Sequence, residues 1–144
     1  MISGEIGLKS TLLDGAMTLN LAVFRSEFDD LQTSALVGST FVVDNAGSAI
    51  TQGVEMDVRY AVTDNLTVGA SGSYLDAYYD DFDNAACTVR QAYEARLANI
   101  RPCVQDLTDE PLQYAPDWAG NLNLEWFTAI TDKLEIKVRA DANY

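Results

Sequence analysis

The stretch GVEMDVRYAVTDNLTVGASGSYLDAYYDDF, residues 53–82, decides the fold because apolar and polar residues alternate on both sides of a short polar turn. Its first half sets Val54, Met56, Val58 and Tyr60 against Gly53, Glu55, Asp57 and Arg59. Its second half sets Leu66, Val68, Ala70, Gly72 and Tyr74 against Thr67, Gly69, Ser71 and Ser73. A period of two residues places successive side chains on opposite faces of a strand. The stretch therefore predicts a β-hairpin with one apolar face and one polar face.

Four further segments alternate in the same way, at residues 5–13, 16–28, 118–127 and from residue 134 onward. The fifth segment sets Leu122, Leu124 and Trp126 against Asn121, Asn123 and Glu125. The sixth sets Leu134, Ile136, Val138, Ala140 and Ala142 against Glu135, Lys137, Arg139, Asp141 and Asn143. Only residues 91–99, QAYEARLAN, have a helical composition, and we interpret them as decoration of a connection. The pattern predicts an all-β, antiparallel meander of about six long strands.

The connections between these segments differ in length. Residues 14–15, 63–65 and 130–133 form short connections, whereas residues 29–48 and 80–117 form long ones. In an up-and-down meander, odd and even connections lie at opposite ends of the strands. The connections at one end of the strands are therefore short and those at the other end are long. Outer-membrane barrels show the same difference between their two sides. The strands also approach the roughly 9–11 residues that a tilted strand needs to cross a bilayer, and aromatic residues gather toward their ends.

Composition excludes several classes of function. The chain has 144 residues, of which 48% are hydrophobic and 22% charged, a balance typical of a folded domain. The formal charge of −13 makes nucleic acid a poor partner. No apolar run approaches the roughly 18 residues of a membrane-spanning helix, and the first residues do not resemble a signal peptide. Histidine is absent, so the usual catalytic base is missing; we expect no enzyme and no cofactor.

Two groups of residues in and near the long connection 80–117 are candidates for a specific role. Cys87 and Cys103 are candidates for a disulfide, which would indicate an oxidising compartment; two reduced thiols are the alternative. The acidic residues Asp76, Asp80, Asp81 and Asp83 lack the glycine and spacing of a calcium-binding loop. We interpret the acidic residues as a solvated rim and predict no metal site.

A soluble sheet is the main alternative, for example a secreted β-sandwich that acts as a binding or adhesin module. Two features favour a barrel instead. A sandwich has no reason to sort its connections by length, and its core would be expected to hold larger side chains than Ala70, Gly72, Ala140 and Ala142. Solubility without detergent would distinguish the two.

The order of several motifs resembles the barrel of TonB-dependent outer-membrane receptors. These are EIGLK at residues 5–9, NAG at 45–47, QGVEMDV at 52–58, TDNLTVGASGSYLDAYYDDF at 63–82, APDWAGNLNL at 115–124 and RADANY at 139–144. The resemblance covers nearly the whole chain. Residues 105–118, QDLTDEPLQYAPDW, resemble the passage before a late strand in receptors for iron complexes. Where that family often has a glycine and a basic residue, this chain has Thr108-Asp109-Glu110.

The resemblance implies a plugged barrel of about 22 strands in the outer membrane of a Gram-negative cell. It also implies a TonB energy-coupling complex as partner, and uptake of a ferric siderophore or similar nutrient. Residues 1–144 would be an internal piece of that barrel, without the plug or a signal peptide, and would contact outer-membrane lipid. The long connections would be extracellular, and residues 80–117 would either capture the ligand or shield the mouth of the barrel.

The resemblance assigns the two faces of the sheet to two surroundings. Candidates for the lumen or plug side are Glu55, Asp57, Arg59, Ser71, Ser73, Asn121, Asn123, Glu125, Glu135, Lys137, Arg139 and Asp141. Candidates for the lipid side are Val54, Met56, Val58, Tyr60, Leu122, Leu124, Trp126, Leu134, Ile136 and Val138.

Overall fold

A computed structural model describes residues 1–37, 40–45 and 47–144 of the chain. Parts of two predicted features, the connection 29–48 and the motif at residues 45–47, lie outside the described residues. The residues concerned are Gly38, Ser39 and Ala46.

Six long strands form one antiparallel sheet, in the order in which they occur along the chain. Their bounds are Ile2–Leu12 for β1, Met17–Asp29 for β2, Ser48–Thr63 for β5, Leu66–Asp81 for β6, Trp118–Thr131 for β9 and Leu134–Asn143 for β10. Every strand of the sheet lies beside the long strand that precedes it along the chain. The predicted up-and-down meander is thus confirmed, and the six predicted segments correspond to these strands.

The short connections are closed by local hydrogen bonds and by residues that accept a left-handed backbone. Leu13–Gly15 form a single 3-10 turn, in which Asp14 has φ 54° and Gly15 has φ 95°. In the next short turn, the backbone N–H groups of Asn65 and Leu66 donate to Thr63 Oγ1 at 3.3 and 3.1 Å. A polar side chain thus satisfies backbone donors that the sheet leaves unpaired.

The register keeps each face of the sheet uniform. Between β6 and β9, Tyr74 lies opposite Trp118 and Leu66 opposite Trp126. Between β9 and β10, Trp126 lies opposite Val138 and the polar Glu125 opposite Arg139. Because a slip of one residue would exchange the two faces, this register carries the apolar and polar faces unbroken across neighbouring strands.

The chain divides into two compact units. The sheet unit comprises Gly4–Arg25, Gln52–Asp76 and Pro116–Tyr144. The connection unit comprises Met1–Ser3, Ser26–Thr51 and Ala77–Ala115. Each is described by itself below.

The connection unit contains short elements that the alternation did not predict. The strands Gln32–Val37 (β3) and Thr40–Asn45 (β4) pair with each other, and so do Ala85–Ala86 (β7) and Val104–Gln105 (β8). The helix Val89–Leu97 (α1) overlaps the segment interpreted as decoration, and Thr88 and Gln91 cap its start reciprocally. No helix among the described residues is long and apolar enough to cross a membrane.

A small hydrophobic core lies in the connection unit. Tyr79, Phe82 and Ala85 are buried, and Leu31, Leu107 and Leu112 pack against them. The rings of Tyr79 and Phe82 are tilted at a centroid distance of 5.1 Å. Backbone hydrogen bonds stabilise this core. Leu107 N–H donates to Phe82 O at 2.9 Å, and Asp109 N–H donates to Tyr79 O at 2.8 Å. These contacts fold the long connection back onto the end of β6.

A glycine on β5 makes room for one large side chain of the sheet unit. A Cβ built on Gly53 would approach the ring of Phe24 at 3.0 Å and collide with the carbonyl oxygen of Tyr74. Gly53 therefore makes room for the Phe24 ring above the strand.

We predict that Phe82→Ala destabilises the connection unit by about 3–5 kcal/mol, the usual cost of truncating a buried phenylalanine. Hydrogen exchange at the amides of Leu107 and Asp109 measures this local stability. Leu97→Ala is the control: Leu97 is 72% exposed and should change local stability by less than about 0.5 kcal/mol. Equal effects of the two substitutions would contradict a core centred on Phe82.

Candidate functional site: the polar face and the long connection

The polar face of the sheet unit carries a chain of ion pairs across three strands. Glu125 on β9 lies 3.6 Å from Arg59 on β5 and 3.3 Å from Arg139 on β10. Arg139 also pairs with Asp141 at 3.0 Å. These side chains are between 38% and 65% exposed, so each pair stabilises the fold by less than about 1 kcal/mol. The network therefore orients its side chains but contributes little to the stability of the fold.

Amide side chains form a second ladder on the same face. Asn123 Nδ2 donates to Asn121 Oδ1 at 3.3 Å, and Asn121 Nδ2 donates to Asn143 Oδ1 at 2.7 Å. Gly69 lies opposite Asn123, and a Cβ there would approach the Asn123 amide at 2.6 Å. The missing side chain of Gly69 thus lets the asparagine lie across the strand.

Two hollows open on the polar face. One, of about 510 Å³, is lined by small and polar residues that include Glu55, Asp57, Ser71, Ser73 and Asn121. The other, of about 440 Å³, is lined by the ion-pair residues Arg59, Glu125 and Arg139 together with Lys137. Serine and glycine at the floor of the first hollow leave room for a second surface to approach the backbone.

The polar-face candidates from the sequence are thus largely brought together. Arg59, Glu125, Arg139 and Asp141 share one network, and Asn121 and Asn123 share another. Ser71, Ser73, Glu55, Asp57 and Lys137 line the hollows. Glu135 takes part in neither network nor in these two hollows. Asn20, which the sequence did not single out, donates to Asp57 Oδ1 at 3.2 Å; its place in the alternation of β2 was the signal that could have found it.

The apolar face of the sheet unit is open. Exposed fractions are 42% for Val54, 43% for Met56, 54% for Leu122 and 39% for Trp126. Tyr74 and Trp118 lie side by side at a centroid distance of 4.8 Å, at one end of this apolar band. A continuous exposed apolar face of this kind indicates an apolar surrounding or partner.

At the end of β2, β5 and β6 that leads to the long connections, the apolar face becomes polar. Arg25 Nη1 donates to Gln52 Oε1 at 2.8 Å, and Gln52 Nε2 donates to Asp76 Oδ2 at 2.9 Å. Gln52 shares its face with Val54, and Asp76 shares its face with Tyr74. The sequence did not predict these three residues as a set, although the apolar alternation breaks at each of their positions.

In the connection unit, Cys87 and Cys103 are joined, with their Cα atoms 5.8 Å apart. The bridge encloses α1, whose Val89, Tyr93 and Leu97 are exposed. Among the acidic residues of the predicted rim, Asp80 accepts from Ser48 Oγ at 3.3 Å. Within the described ranges, no group of three metal-ligating side chains is close enough to hold an ion.

Thr108 ties the end of the long connection to the core. Its Oγ1 accepts from the backbone N–H of Phe82 at 3.1 Å, and its own N–H donates to Asp106 Oδ1 at 2.9 Å. Hydrogen bonds from the hydroxyl and then the backbone N–H of Thr108 hold the pKa of the Asp106 carboxyl below its ordinary value. Both bonds favour the charged carboxylate.

We predict that Thr108→Val raises the pKa of Asp106, because the hydroxyl donor is lost, whereas Thr108→Ser leaves it low. An NMR titration of the carboxyl measures the change. Because the pKa is lower in the folded state, its contribution to stability is present above the unfolded-state pKa and is lost as the pH falls through the folded value. An unchanged pKa in Thr108→Val would show that the hydroxyl does not donate to Asp106.

Comparison with known proteins agrees with this architecture. The profile of the family described as TonB dependent receptor-like, beta-barrel, matches residues 2–144. Among solved structures, the siderophore receptor PiuA from Acinetobacter baumannii is similar, with a TM-score of 0.60 and 20% sequence identity. The match covers 95% of this chain and 17% of that chain, and at this identity it shows the fold alone. A search of curated protein sequences found no match.

Proposed function

This chain belongs to the family of TonB-dependent receptor β-barrels, and from that premise we propose that it is part of the wall of an outer-membrane receptor. The receptor would take up a ferric siderophore, or a similarly scarce nutrient, with energy from the TonB complex. The family is one of receptors and transporters rather than enzymes. The observation that carries the proposal is the six-stranded meander with one open apolar face and one open polar face.

The apolar face would contact lipid. Along β9 it runs from Trp118 to Trp126, a length of about 26 Å at roughly 3.3 Å per residue. A strand tilted by about 40° would cover about 20 Å of membrane height, close to the apolar band of such barrels. Tryptophan at both ends of the run suits the two membrane interfaces.

The polar face would line the lumen and contact a plug. Its ion pairs and amide ladder are largely exposed, and their side chains are already oriented by one another. A plug surface that docks here would lose little further side-chain entropy. The hollow beside Ser71 and Asn121 is the place where a plug segment could approach the wall most closely.

The long connections would lie outside the cell, since the short turns lie at the opposite ends of the strands. Residues 80–117 form a folded, bridged structure rather than a slack loop, and the Cys87–Cys103 bridge suits an oxidising compartment. The connection presents exposed Tyr93 and Tyr114, and aromatic side chains provide contact area at low entropic cost. We infer that this segment meets the ligand first. The similarity to PiuA, a siderophore receptor, supports a siderophore as the class of ligand to test first.

The soluble sandwich receives less support. Its apolar face would need a second sheet as cover. In the part of the chain that the structure describes, the two other sheets are two-stranded pairs inside the connection unit. The apolar face of the sheet unit stays open.

The two faces can be tested at adjacent residues. In the full receptor, we predict that a spin label at Leu124→Cys is reached by oxygen, which concentrates in lipid, and that a label at Asn123→Cys is not. Depth-dependent relaxation measurements in vesicles give both values from one preparation. Two labels equally accessible to a water-soluble nickel complex would contradict a membrane wall.

The uptake function can be tested in cells that lack the receptor gene. We expect loss of iron-dependent growth and of radioactive iron uptake from one siderophore, restored by the intact gene. Deletion of residues 88–103 within the restored gene should abolish binding of that siderophore while the receptor still reaches the outer membrane. Uptake that is unchanged for every iron complex and scarce nutrient tried would overturn the proposal.

A further inference from the structure

The helix α1 of the connection unit has an exposed apolar stripe. Val89, Tyr93 and Leu97 follow one another at intervals of four residues, so they lie on successive turns of one helix face. All three side chains are exposed. At 1.5 Å per residue the stripe is about 12 Å long. A helix at a protein surface normally turns such a stripe toward a core, so its exposure here indicates an apolar partner.

The start of α1 is held in place, and the whole segment is closed by a bridge. Thr88 and Gln91 form the capping box, and Gln91 Nε2 donates to Gln105 Oε1 on β8 at 2.9 Å. The disulfide between Cys87 and Cys103 joins the two ends of residues 87–103, which we call the bridged helix. A ligand would therefore meet a preformed surface, which loses little entropy when the ligand binds.

The chain turns back directly after α1 and brings two arginines to the same end of the helix. Asn99 has a left-handed φ of 59°, and its N–H donates to Arg96 O at 3.3 Å. The N–H of Ile100 donates to Ala95 O at 2.9 Å. This pair of bonds is a Schellman motif, which ends a helix and reverses the chain. Because Arg101 follows Ile100 directly, Arg96 and Arg101 both lie at the C-terminal end of α1.

The charge of the bridged helix is opposite to the charge of the chain as a whole. Its charged residues are Arg90, Glu94, Arg96 and Arg101, and Arg90 pairs with Glu94 at 3.1 Å. Among the described residues, neither Arg96 nor Arg101 has an ion-pair partner. The segment is thus net positive in a chain with a formal charge of −13, and the connection unit has no other basic residue in its sequence.

This distribution of charge favours an anion at the C-terminal end of α1. The negative end of the helix dipole accounts for one cation in the last turn, Arg96, but not for a second one beyond the helix. The many acidic residues elsewhere in the connection unit would repel an anion, whereas the two arginines would attract it.

We propose that the bridged helix binds an amphiphilic ferric complex, with a negatively charged chelate at Arg96 and Arg101 and an acyl chain along the stripe. Arg96 lies three residues after Tyr93, so the two side chains are neighbours on the helix surface and join the charged part of the site to the apolar part. The inference rests on the proposed function, because it names the class of siderophore that the long connection would meet. The arginines favour an anionic chelate, and the stripe favours an apolar chain.

The test uses the full receptor in lipid nanodiscs and four synthetic ferric complexes. Two are anionic tris-catecholates and two are neutral tris-hydroxamates, and one of each pair bears a dodecanoyl chain. Binding of radioactive iron is measured for each complex. We expect the anionic acylated complex to bind at least tenfold more tightly than the same complex without the chain, a gain that burial of about two methylene groups would supply. It should also bind at least tenfold more tightly than the neutral acylated complex.

Two double variants separate the two parts of the site. Val89→Gln with Leu97→Gln should remove the gain from the chain and leave binding of the unacylated anionic complex within twofold. Arg96→Gln with Arg101→Gln should weaken both anionic complexes at least tenfold and the neutral complexes less than twofold. Glutamine is a good helix former, so α1 should persist. The chain partitions equally into the lipid of every nanodisc, so differences between variants report contacts with the protein.

Matched controls make the same changes in the sheet unit. Leu13→Gln replaces an exposed leucine, and Lys9→Gln removes an exposed cation. Both should bind all four complexes within twofold of the unaltered receptor. A gain from the chain that is the same in Val89→Gln with Leu97→Gln as in Leu13→Gln would overturn the proposal. Equal binding of the anionic and neutral acylated complexes by the unaltered receptor would also overturn it.

The outcome is separable from the proposed function. Membrane fractionation and iron uptake are measured on the same strains. A receptor that reaches the outer membrane and takes up an unacylated complex, but gains nothing from the chain, would refute the amphiphilic ligand alone. A protein absent from the outer membrane would refute the proposed function itself. If the double variant at Val89 and Leu97 does not assemble, Leu97→Gln alone decides, and it should reduce the gain at least threefold.

Discussion

The structure depends on the two-residue period of the strand and on a register that preserves it between neighbours. Each long strand separates its apolar residues from its polar residues, and the pairing of Tyr74 with Trp118 and of Glu125 with Arg139 carries that separation from β6 to β10. Neither face of the sheet unit is covered within the described residues. In the proposed receptor, lipid on the apolar face and a plug on the polar face would therefore supply the stabilising contacts.

The polar face shows how weak interactions can still be useful. An exposed ion pair contributes little free energy, because water screens it and two long side chains lose freedom. In the series Arg59, Glu125, Arg139 and Asp141, however, each charge restrains the next. The asparagine ladder does the same without charge. Glycine and serine lie between the two networks and leave the backbone accessible. The polar face is therefore suited to contact a second polar surface.

The sequence predicted the parts of the fold that depend on long periodic segments. The six strands follow from alternation over many residues, and their order follows from the short turns. Alternation could not predict the β7–β8 pair, because a two-residue strand is too short to show a period. That pair is held by the bridge between Cys87 and Cys103 and by the core around Phe82, which are contacts between distant parts of the chain. The composition of α1 is typical of a helix, so the sequence predicted this element in part.

The candidate sites were also predicted only in part. The position of a residue in the two-residue alternation was enough to assign it to the polar face, and most of the residues assigned in this way meet in the structure. The set of Arg25, Gln52 and Asp76 could not be assembled from parity, because it joins three strands at a point where each one breaks its own pattern.

The same period explains why a similar fold persists at 20% identity to PiuA. A wall position must be apolar or polar, small or large, but it rarely needs one particular residue, so many sequences satisfy the same sheet. Positions that break the alternation of apolar and polar residues are more particular. Arg25 lies on the apolar face, and there it donates to Gln52, which in turn donates to Asp76. Such positions depend on particular partners on neighbouring strands, so the two-residue period alone does not specify them.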